Sequence, residues 1–224
     1  MESVSITEEN YLKAIFKIGE REGQAVSNKA ISLAMETSPA SVTSMLNHLG
    51  KNGYVNYQSR KGVTLTPKGK TIATALVRKH RLWEVFLMEK LHFSWDEVHH
   101  IAEELEHISS EELVTRLDHF LGYPKFDPHG DPIPDADGNM TQREQILLSE
   151  VSIGEAATVT GVDEHSSAFL QYLDQLGLSL GTKLTVIEQF AFDESIKVAF
   201  DSGEQQILTA KVSQNLFVKV TFKK

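Results

Sequence analysis

The chain has 224 residues, of which 41% are hydrophobic and 24% charged, a composition typical of globular proteins with one large domain or two to three small ones. It contains no cysteine, which excludes disulfide bonds and thiolate metal sites. No apolar run approaches the ~20 residues that span a bilayer, and the polar, acidic N-terminus is unlike a signal peptide, so a cytoplasmic protein is predicted.

The net charge of −9 is unevenly distributed along the chain. Residues 1–80 carry 11 Lys and Arg against 6 Asp and Glu, whereas residues 81–224 carry 11 against 25. A basic head joined to an acidic body suits contact with nucleic acid by the head and with cations by the body.

The first third of the chain predicts a winged helix-turn-helix. Residues 7–19 predict an amphipathic helix that Thr7 can cap. Helices are also predicted over 28–35 and 40–51, and the tight turn between them gives the helix-turn-helix. Alternating residues on both sides of a turn at 59–62 predict a β-hairpin, which forms the wing.

The third helix of such a unit would lie in the DNA major groove, with the residues of its first turns nearest the base edges. Small polar side chains there, and basic residues that would meet phosphates, are the candidate contacts with double-stranded DNA. They are Ser38, Pro39, Ser41, Thr43, Ser44, Asn47, Lys51, Arg60 and Lys61. A role in protein–protein contact is the alternative, which the positive charge of this region disfavours.

Beyond the wing, the pattern changes from helices to strands. Helices are predicted over 70–91, 95–107 and 111–121, followed by a loop at 122–140 that is rich in Pro, Gly and Asp. Five short strands are then predicted around one helix at 167–176, which suggests a small SH3-like β-barrel. The strands are predicted at 156–162, 183–190, 196–200, 204–208 and 216–220.

Six of the nine histidines lie between His80 and His119, and several of them alternate with glutamates at helical spacing. Six side chains fall on two helix faces, each within an arc of about 100°. They are His80 and Glu84 on one predicted helix, and His99, Glu103, Glu106 and His107 on the next. Any one pair would suit a solvated face, but six together favour a transition metal held by nitrogen and oxygen.

Several stretches of the chain resemble the DtxR/MntR family of metal-dependent transcriptional regulators. They are residues 8–12, 39–43, 65–69, 78–82, 98–107 and 127–134. The resemblance covers about residues 5–140, and the C-terminal part resembles the family's SH3-like (FeoA-type) domain more loosely. The predicted α+β multidomain fold comprises a winged helix-turn-helix at 1–72, a helical metal-binding and dimerisation domain at 73–140, a linker at 141–148 and the SH3-like domain at 149–224.

The resemblance implies up to two metal sites per subunit, which would take Mn(II) or Fe(II). The regulatory site would use Asn10, Glu103, Glu106 and His107. The ancillary site would use His80, Glu84 and His99, completed by a side chain from residues 163–165, where Glu164 or His165 is favoured.

Two departures from the family pattern bear on the metal. The iron-type branch usually has Cys where this chain has Glu103, so the carboxylate sides with the manganese-type branch. That branch usually has Asp where Asn10 stands and Glu where Lys13 stands. A protonated Lys13 cannot ligate, which argues against a closely spaced two-metal centre, and Asn10 leaves the regulatory site less anionic.

The resemblance therefore implies a metal-activated repressor, not an enzyme, that binds palindromic operator DNA as a homodimer and controls metal-ion homeostasis. Two alternatives stay open on the sequence alone. One is a metal-independent winged-helix DNA-binding protein whose His/Glu cluster is a solvated surface. The other is a metalloenzyme fused to a DNA-binding head, although the sequence offers no evident additional nucleophile, base or substrate-pocket motif.

Overall fold

The computed structural model describes residues 4–23, 25–142 and 144–221, which fold into two compact units. The first unit contains the described residues up to His80, together with Glu103–Val114 and Pro134–Met140. The second contains Arg81–Ala102, Thr115–Ile133 and the described residues from Thr141 onward. None of the helices in the described part of the chain is long and apolar enough to cross a membrane.

The first unit starts with three helices and a two-stranded antiparallel hairpin. These elements are α1 (Ile6–Glu22), α2 (Asn28–Ala34), α3 (Pro39–Lys51), β1 (Val55–Gln58) and β2 (Gly62–Leu65). Leu12, Ile31, Leu46 and Val63, one from each of four elements, are fully buried in a shared apolar core. Burial of these side chains stabilises the three helices and the hairpin as one domain, called the head below. The predicted winged helix-turn-helix is confirmed.

Helix α1 begins with a capping box that differs from the prediction. The backbone N–H of Ser5 donates to Glu8 Oε2 at 2.8 Å, and the backbone N–H of Glu8 donates to Ser5 Oγ at 3.3 Å. Ser5 is therefore the N-cap, and the prediction that Thr7 caps this helix was wrong. Glu8 also accepts a hydrogen bond from His48 Nε2 on α3 at 3.0 Å, which connects the two helices.

Three helices follow the hairpin: α4 (Pro67–Leu91), α5 (Val98–Leu105) and α6 (Glu111–Phe120). Helix α5 is shorter than the predicted helix at 95–107. Before it, the N–H and Oγ–H of Ser94 both donate to Glu97 Oε2, which closes a separate turn. Glu106 and His107 lie in the turn after α5, so the prediction of one helical arc for four ligands was wrong in this respect.

The second unit contains a six-stranded antiparallel sheet. Its strands are β3 (Ile146–Leu147), β4 (Ala156–Val162), β5 (Lys183–Gln189), β6 (Ile196–Phe200), β7 (Gln205–Leu208) and β8 (Leu216–Thr221), in the order β3-β8-β4-β5-β6-β7. Two short helices, α7 (Ser167–Gln175) and α8 (Ala210–Ser213), and a 3₁₀ turn at Leu148–Glu150 accompany it. Strand β3 and helix α8 were not predicted, but the α+β fold class with a C-terminal β-sheet domain is confirmed.

A loop between α6 and β3 is fixed against the sheet at Gly130. The backbone N–H of Val162 on β4 donates to the His129 carbonyl at 3.0 Å. Gly130 has φ +90°, and a Cβ atom at this position would lie 2.1 Å from the Thr160 carbonyl oxygen. Only glycine combines the left-handed backbone with this close approach, so the glycine fixes where the preceding His129 lies.

A Gly130→Ala variant is expected to unfold about 1–3 kcal/mol more easily than a Gly203→Ala variant, because its methyl group overlaps the Thr160 carbonyl. Gly203 is the matched control, since its φ is +87° and nothing lies within 4 Å of an added Cβ. Urea denaturation of the metal-free proteins measures the difference. Equal losses of unfolding free energy in the two variants would show that the Thr160 carbonyl does not obstruct the added methyl group.

Candidate functional site

Helix α3 presents most of the predicted DNA contacts to solvent. Ser38 is its N-cap, and its Oγ accepts a hydrogen bond from the backbone N–H of Ser41 at 3.1 Å. The exposed members of the predicted set are Ser38, Pro39, Ser41, Ser44, Asn47 and Lys51 on this helix, with Arg60 and Lys61 at the hairpin tip. A helix that offers polar side chains at its start, beside a basic wing, can enter a DNA major groove.

Thr43 differs from the rest of that set, because its hydroxyl is used inside the head. Its Oγ1 donates to the Pro39 carbonyl at 2.9 Å and accepts from Asn28 Nδ2 at 3.0 Å. Asn28 Nδ2 also donates to Tyr57 Oη at 3.0 Å, so one amide connects α2, α3 and β1. Sequence reasoning missed Asn28, since its partners lie 15 and 29 positions away and no local pattern marks them.

Glu106 is the centre of a buried polar cluster in the first unit, with 1% of its side chain exposed. Lys13 Nζ donates to its Oε1 at 2.7 Å and its Oε2 at 2.8 Å, and His80 Nδ1 donates to Oε2 at 2.6 Å. Burial alone would raise the pKa of Glu106, but the His80 hydrogen bond and the Lys13 charge outweigh it and hold that pKa below its usual value.

His107 lies beside this cluster with its ring orientation fixed by Glu9. Its Nδ1–H donates to Glu9 Oε2 at 2.7 Å, and its Nε2 lies 3.7 Å from Glu106 Oε1. A carboxylate on one ring nitrogen fixes the orientation of the ring, as in many metal sites where the other nitrogen is the ligand. Sequence reasoning did not assign this role to Glu9.

The other two predicted regulatory ligands are Asn10 and Glu103. Glu103 Oε1 lies 3.5 Å from Lys13 Nζ. The side-chain oxygen of Asn10 is buried without a hydrogen-bond partner among the residues that the structure describes, and such an oxygen is a suitable ligand for a cation. Yet the Glu103, Glu106 and His107 ligand atoms do not all approach within 4.8 Å of one another in the described chain, and Lys13 lies among them.

A second cluster of metal-ligand type lies wholly within the second unit. Glu84 on α4 and the loop residues Asp127 and His129 are buried, and one ligand atom from each lies within 4.8 Å of the others. His129 Nε2–H donates to the Trp95 carbonyl at 2.8 Å, while its Nδ1 faces Glu84 Oε1 at 3.7 Å. The Trp95 carbonyl thus directs the ligand nitrogen of His129 towards the carboxylates. His99 Nδ1–H donates to the same Glu84 oxygen at 3.1 Å.

Asp127 is oriented by its own loop. Its Oδ1 accepts the backbone N–H groups of His129 at 2.8 Å and Asp131 at 3.0 Å, and its Oδ2 lies 3.5 Å from Arg81 Nε. Burial raises the pKa of this carboxyl above its usual range, with the charges of Asp131 and Glu84 adding to the rise and that of Arg81 opposing it. A buried acid that is held in place and resists ionisation is suited to pairing with an added cation.

The predicted ligands from the C-terminal part of the chain have different surroundings. The His165 ring stacks on the His129 ring at 4.9 Å between centroids, and its Nε2–H donates to the Val162 carbonyl at 3.2 Å. Glu164 accepts the backbone N–H of Ser166 at 2.9 Å, and this bond lowers the pKa of the Glu164 carboxyl. Of the two, His165 lies beside the cluster formed by Glu84, Asp127 and His129.

The predicted ancillary set of His80, Glu84 and His99 stays a prediction, and two of its members, Glu84 and His99, are in contact in the second unit. His80 lies one turn before Glu84 on α4, as predicted, but its Nδ1 hydrogen-bonds to Glu106 in the first unit. Asp127 and His129 were not among the predicted ligands. The available signal was two ligand-type residues at i and i+2 in a run of Asp, His and Gly, which was interpreted as a loop.

The described elements define a winged-helix protein with two clusters of nitrogen and oxygen ligands and a C-terminal β-sheet domain. Residues 4–63 match the family domain described as "Iron dependent repressor, N-terminal DNA binding domain", and residues 66–135 match "Iron dependent repressor, metal binding and dimerisation domain". Residues 146–220 match the FeoA domain.

Individual proteins agree with these matches. The chain is 31% identical to the iron-dependent repressor IdeR of Mycobacterium leprae over 168 residues, 71% of this chain and 73% of that protein. It is 34% identical to the diphtheria toxin repressor of Corynebacterium diphtheriae over 200 residues, 84% and 88% of the two chains. A solved "Manganese-dependent transcriptional repressor complex with manganese" is 35% identical with a TM-score of 0.87, covering 96% of this chain and 100% of that one. The chain belongs to the DtxR/MntR family of metal-dependent transcriptional regulators.

Binding of a metal ion by the His129 ring would depend on pH. Burial alone would lower the pKa of His129, but the Glu84 carboxylate and the Asp127 charge raise it to about 9. Because this value exceeds the ordinary 6.5, protonated His129 stabilises the metal-free fold below pH 6.5, and this contribution is lost as the pH rises through 9. Mn(II) binding near pH 7 should therefore release at least about one proton, from His129 and in part from Asp127, whose pKa is raised to about 7, and should tighten as the pH rises. Calorimetry in buffers of different ionisation enthalpy counts the protons, and a count of zero would contradict the expectation.

Proposed function

We propose that this chain is a metal-activated transcriptional repressor that binds palindromic operator DNA as a homodimer and controls metal-ion homeostasis. The observation that carries the proposal is the buried convergence of Glu84, Asp127 and His129 in a chain that also presents an exposed recognition helix. The names of its relatives, which are iron- and manganese-dependent repressors, support the same function. We propose no catalytic activity. We propose a cytoplasmic localisation, since a repressor must have access to its DNA.

For the metal centre of the second unit we propose Glu84, Asp127 and His129 as ligands, with His99 and His165 as the nearest further donors. Two carboxylates and one imidazole, with no thiolate in the chain, form a donor set that suits Mn(II) or Fe(II). A bound divalent ion would supply the positive charge that protonated His129 supplies beside Glu84 and Asp127 in the metal-free protein. Arg81 Nε lies 3.5 Å from Asp127 Oδ2 and offsets part of the charge of that carboxylate in the metal-free protein.

For the first unit we propose a site formed by Asn10, Glu103, Glu106 and His107. Asn10 belongs to α1, which packs in the same head as α3, whereas the other three follow or end α5. A cation shared by these ligands would restrain the first helix of the head. By linkage, restraint that favours the DNA-competent arrangement shifts the population towards it, and DNA in turn favours the loaded form. In a dimer, that arrangement would space the two recognition helices by the ~34 Å repeat of DNA.

A selection experiment tests this function without requiring that the operator sequence be known. The full chain is incubated with a library of random-sequence DNA duplexes, once with Mn(II) and once with a chelator, and bound duplexes are sequenced over several rounds. We expect a palindromic sequence to be enriched with Mn(II) alone. An Asn47→Ala variant serves as the control for base contact and should change or weaken the enriched sequence. Enrichment of the same sequence with the chelator would overturn metal activation, and no enrichment in either condition would overturn operator binding.

A further inference from the structure

Lys13 places a positive charge inside the proposed metal site of the first unit. The side chain projects from α1 and is 10% exposed, and its ammonium donates to both carboxylate oxygens of Glu106, at 2.7 and 2.8 Å. The same ammonium lies 3.5 Å from Glu103 Oε1. The two carboxylates that the family resemblance assigns to a metal are thus already paired with a positively charged side chain of the same protein.

This arrangement and a bound divalent ion exclude each other at Glu106. The carboxylate oxygens that hold Lys13 Nζ are the atoms that would ligate a metal, and His80 Nδ1 also occupies one of them at 2.6 Å. A divalent ion at these atoms would stand close to the ammonium, where repulsion between like charges is strong because the surroundings are partly desolvated. Loading the site therefore requires Lys13 to leave Glu106.

Lys13 nevertheless does not provide a partner for every buried polar atom of the site. Asn10 precedes Lys13 by three residues on α1, so the two side chains leave the same face of the helix. The buried carbonyl oxygen of Asn10 has no hydrogen-bond partner within the described parts of the chain, and an ammonium bound at Glu106 does not provide one. A metal ion could bind this oxygen together with the carboxylates, whereas Lys13 satisfies the carboxylates alone.

From these contacts we propose that Lys13 is a tethered competitor of the metal in the first unit and sets the concentration at which that site loads. The Glu84, Asp127 and His129 centre then fills first, and the Asn10, Glu103, Glu106 and His107 site fills at higher metal concentration, once the ammonium is displaced. Lys13 also neutralises Glu106 in the metal-free protein, so α1 stays attached to the turn after α5. This inference rests on the proposed function and adds the order of loading.

Mn(II) titration of the full chain by calorimetry, with bound metal counted after equilibrium dialysis, tests the proposal. The variants are Lys13→Met, which keeps the length of the side chain without its charge, Lys13→Arg, which keeps the charge, and Lys17→Met as the control on the same helix. We expect the wild type, Lys13→Arg and Lys17→Met to bind a first equivalent tightly and a second weakly. In Lys13→Met the second equivalent should bind at least ~10-fold more tightly, since one nearby like charge has been removed. Adding Glu106→Gln to Lys13→Met should abolish that gain.

Stability measurements keep the test decisive if Lys13→Met weakens the fold. Thermal unfolding with and without Mn(II) should show a lower melting temperature for metal-free Lys13→Met and a larger upward shift with Mn(II) than in the wild type. Identical Mn(II) isotherms for the wild type and Lys13→Met would overturn the proposal, as would an equal upward shift of the melting temperature. Absence of Mn(II) binding in every variant would instead overturn the proposed function itself.

Discussion

A His129→Ala variant is expected to bind Mn(II) at least ~100-fold more weakly at its tighter site and to lose metal-dependent DNA binding. Removal of a residue that merely supports a ligand typically lowers metal affinity 10–100-fold, so the loss of a proposed ligand should reach or exceed the upper end of that range. His129 is buried, and its Nδ1 lies 3.7 Å from Glu84 Oε1. Calorimetric titration of the chelator-treated protein gives the affinity.

The matched control for this variant is His100→Ala. His100 is exposed on α5 and stands next to His99, but it belongs to neither cluster of ligands. We expect its Mn(II) affinity to equal that of the wild type. If His129→Ala and His100→Ala bind Mn(II) equally well, the assignment of the metal centre to the second unit is wrong.

A Glu106→Gln variant is expected to lose about 3–5 kcal/mol of stability in the metal-free state. The substitution removes the negative charge that compensates Lys13, whose side chain is 10% exposed, and weakens the hydrogen bond from His80. Breaking a buried ion pair by neutralising one partner is costly because the other charge stays buried without compensation. Urea denaturation of chelator-treated protein measures the loss.

Glu104→Gln provides the comparison, since Glu104 is exposed and two positions from Glu106. Surface charge substitutions usually change stability by less than about 0.5 kcal/mol, and we expect that here. A loss below about 1 kcal/mol for Glu106→Gln would indicate that the Lys13 pair is worth no more than an exposed one.

The fold was predictable because its elements carry local signals. Ser38 and Pro39 mark the start of the recognition helix, and alternation around the turn at 59–62 marks the wing. Strands β4 and β6 were predicted at their observed bounds, because alternating burial leaves a period of two in the sequence. The end of α5 was misplaced, since Glu106 and His107 continue the helical spacing after the helix has ended.

The candidate sites were only partly predictable, because their geometry depends on distant residues. Lys13 and Glu106 meet across 93 positions, and the sequence indicated merely that a lysine cannot ligate. Asp127 and His129 lie in a loop without periodicity, so nothing local indicates that they face Glu84 on a helix. Spacing along helices identified most of the polar residues involved, but their partners follow from the packing of the units.

The affinity of the full chain for a duplex selected from the random library, with saturating Mn(II) and then with a chelator, tests metal activation most directly. Fluorescence anisotropy at one fixed salt concentration provides both dissociation constants, because salt alone changes affinity for DNA strongly. Coupling between an effector and a ligand is typically 5- to 150-fold, so we predict at least ~5-fold tighter binding with Mn(II) and no such gain in His129→Ala. Equal affinity of the wild type with Mn(II) and with the chelator would contradict the proposed function.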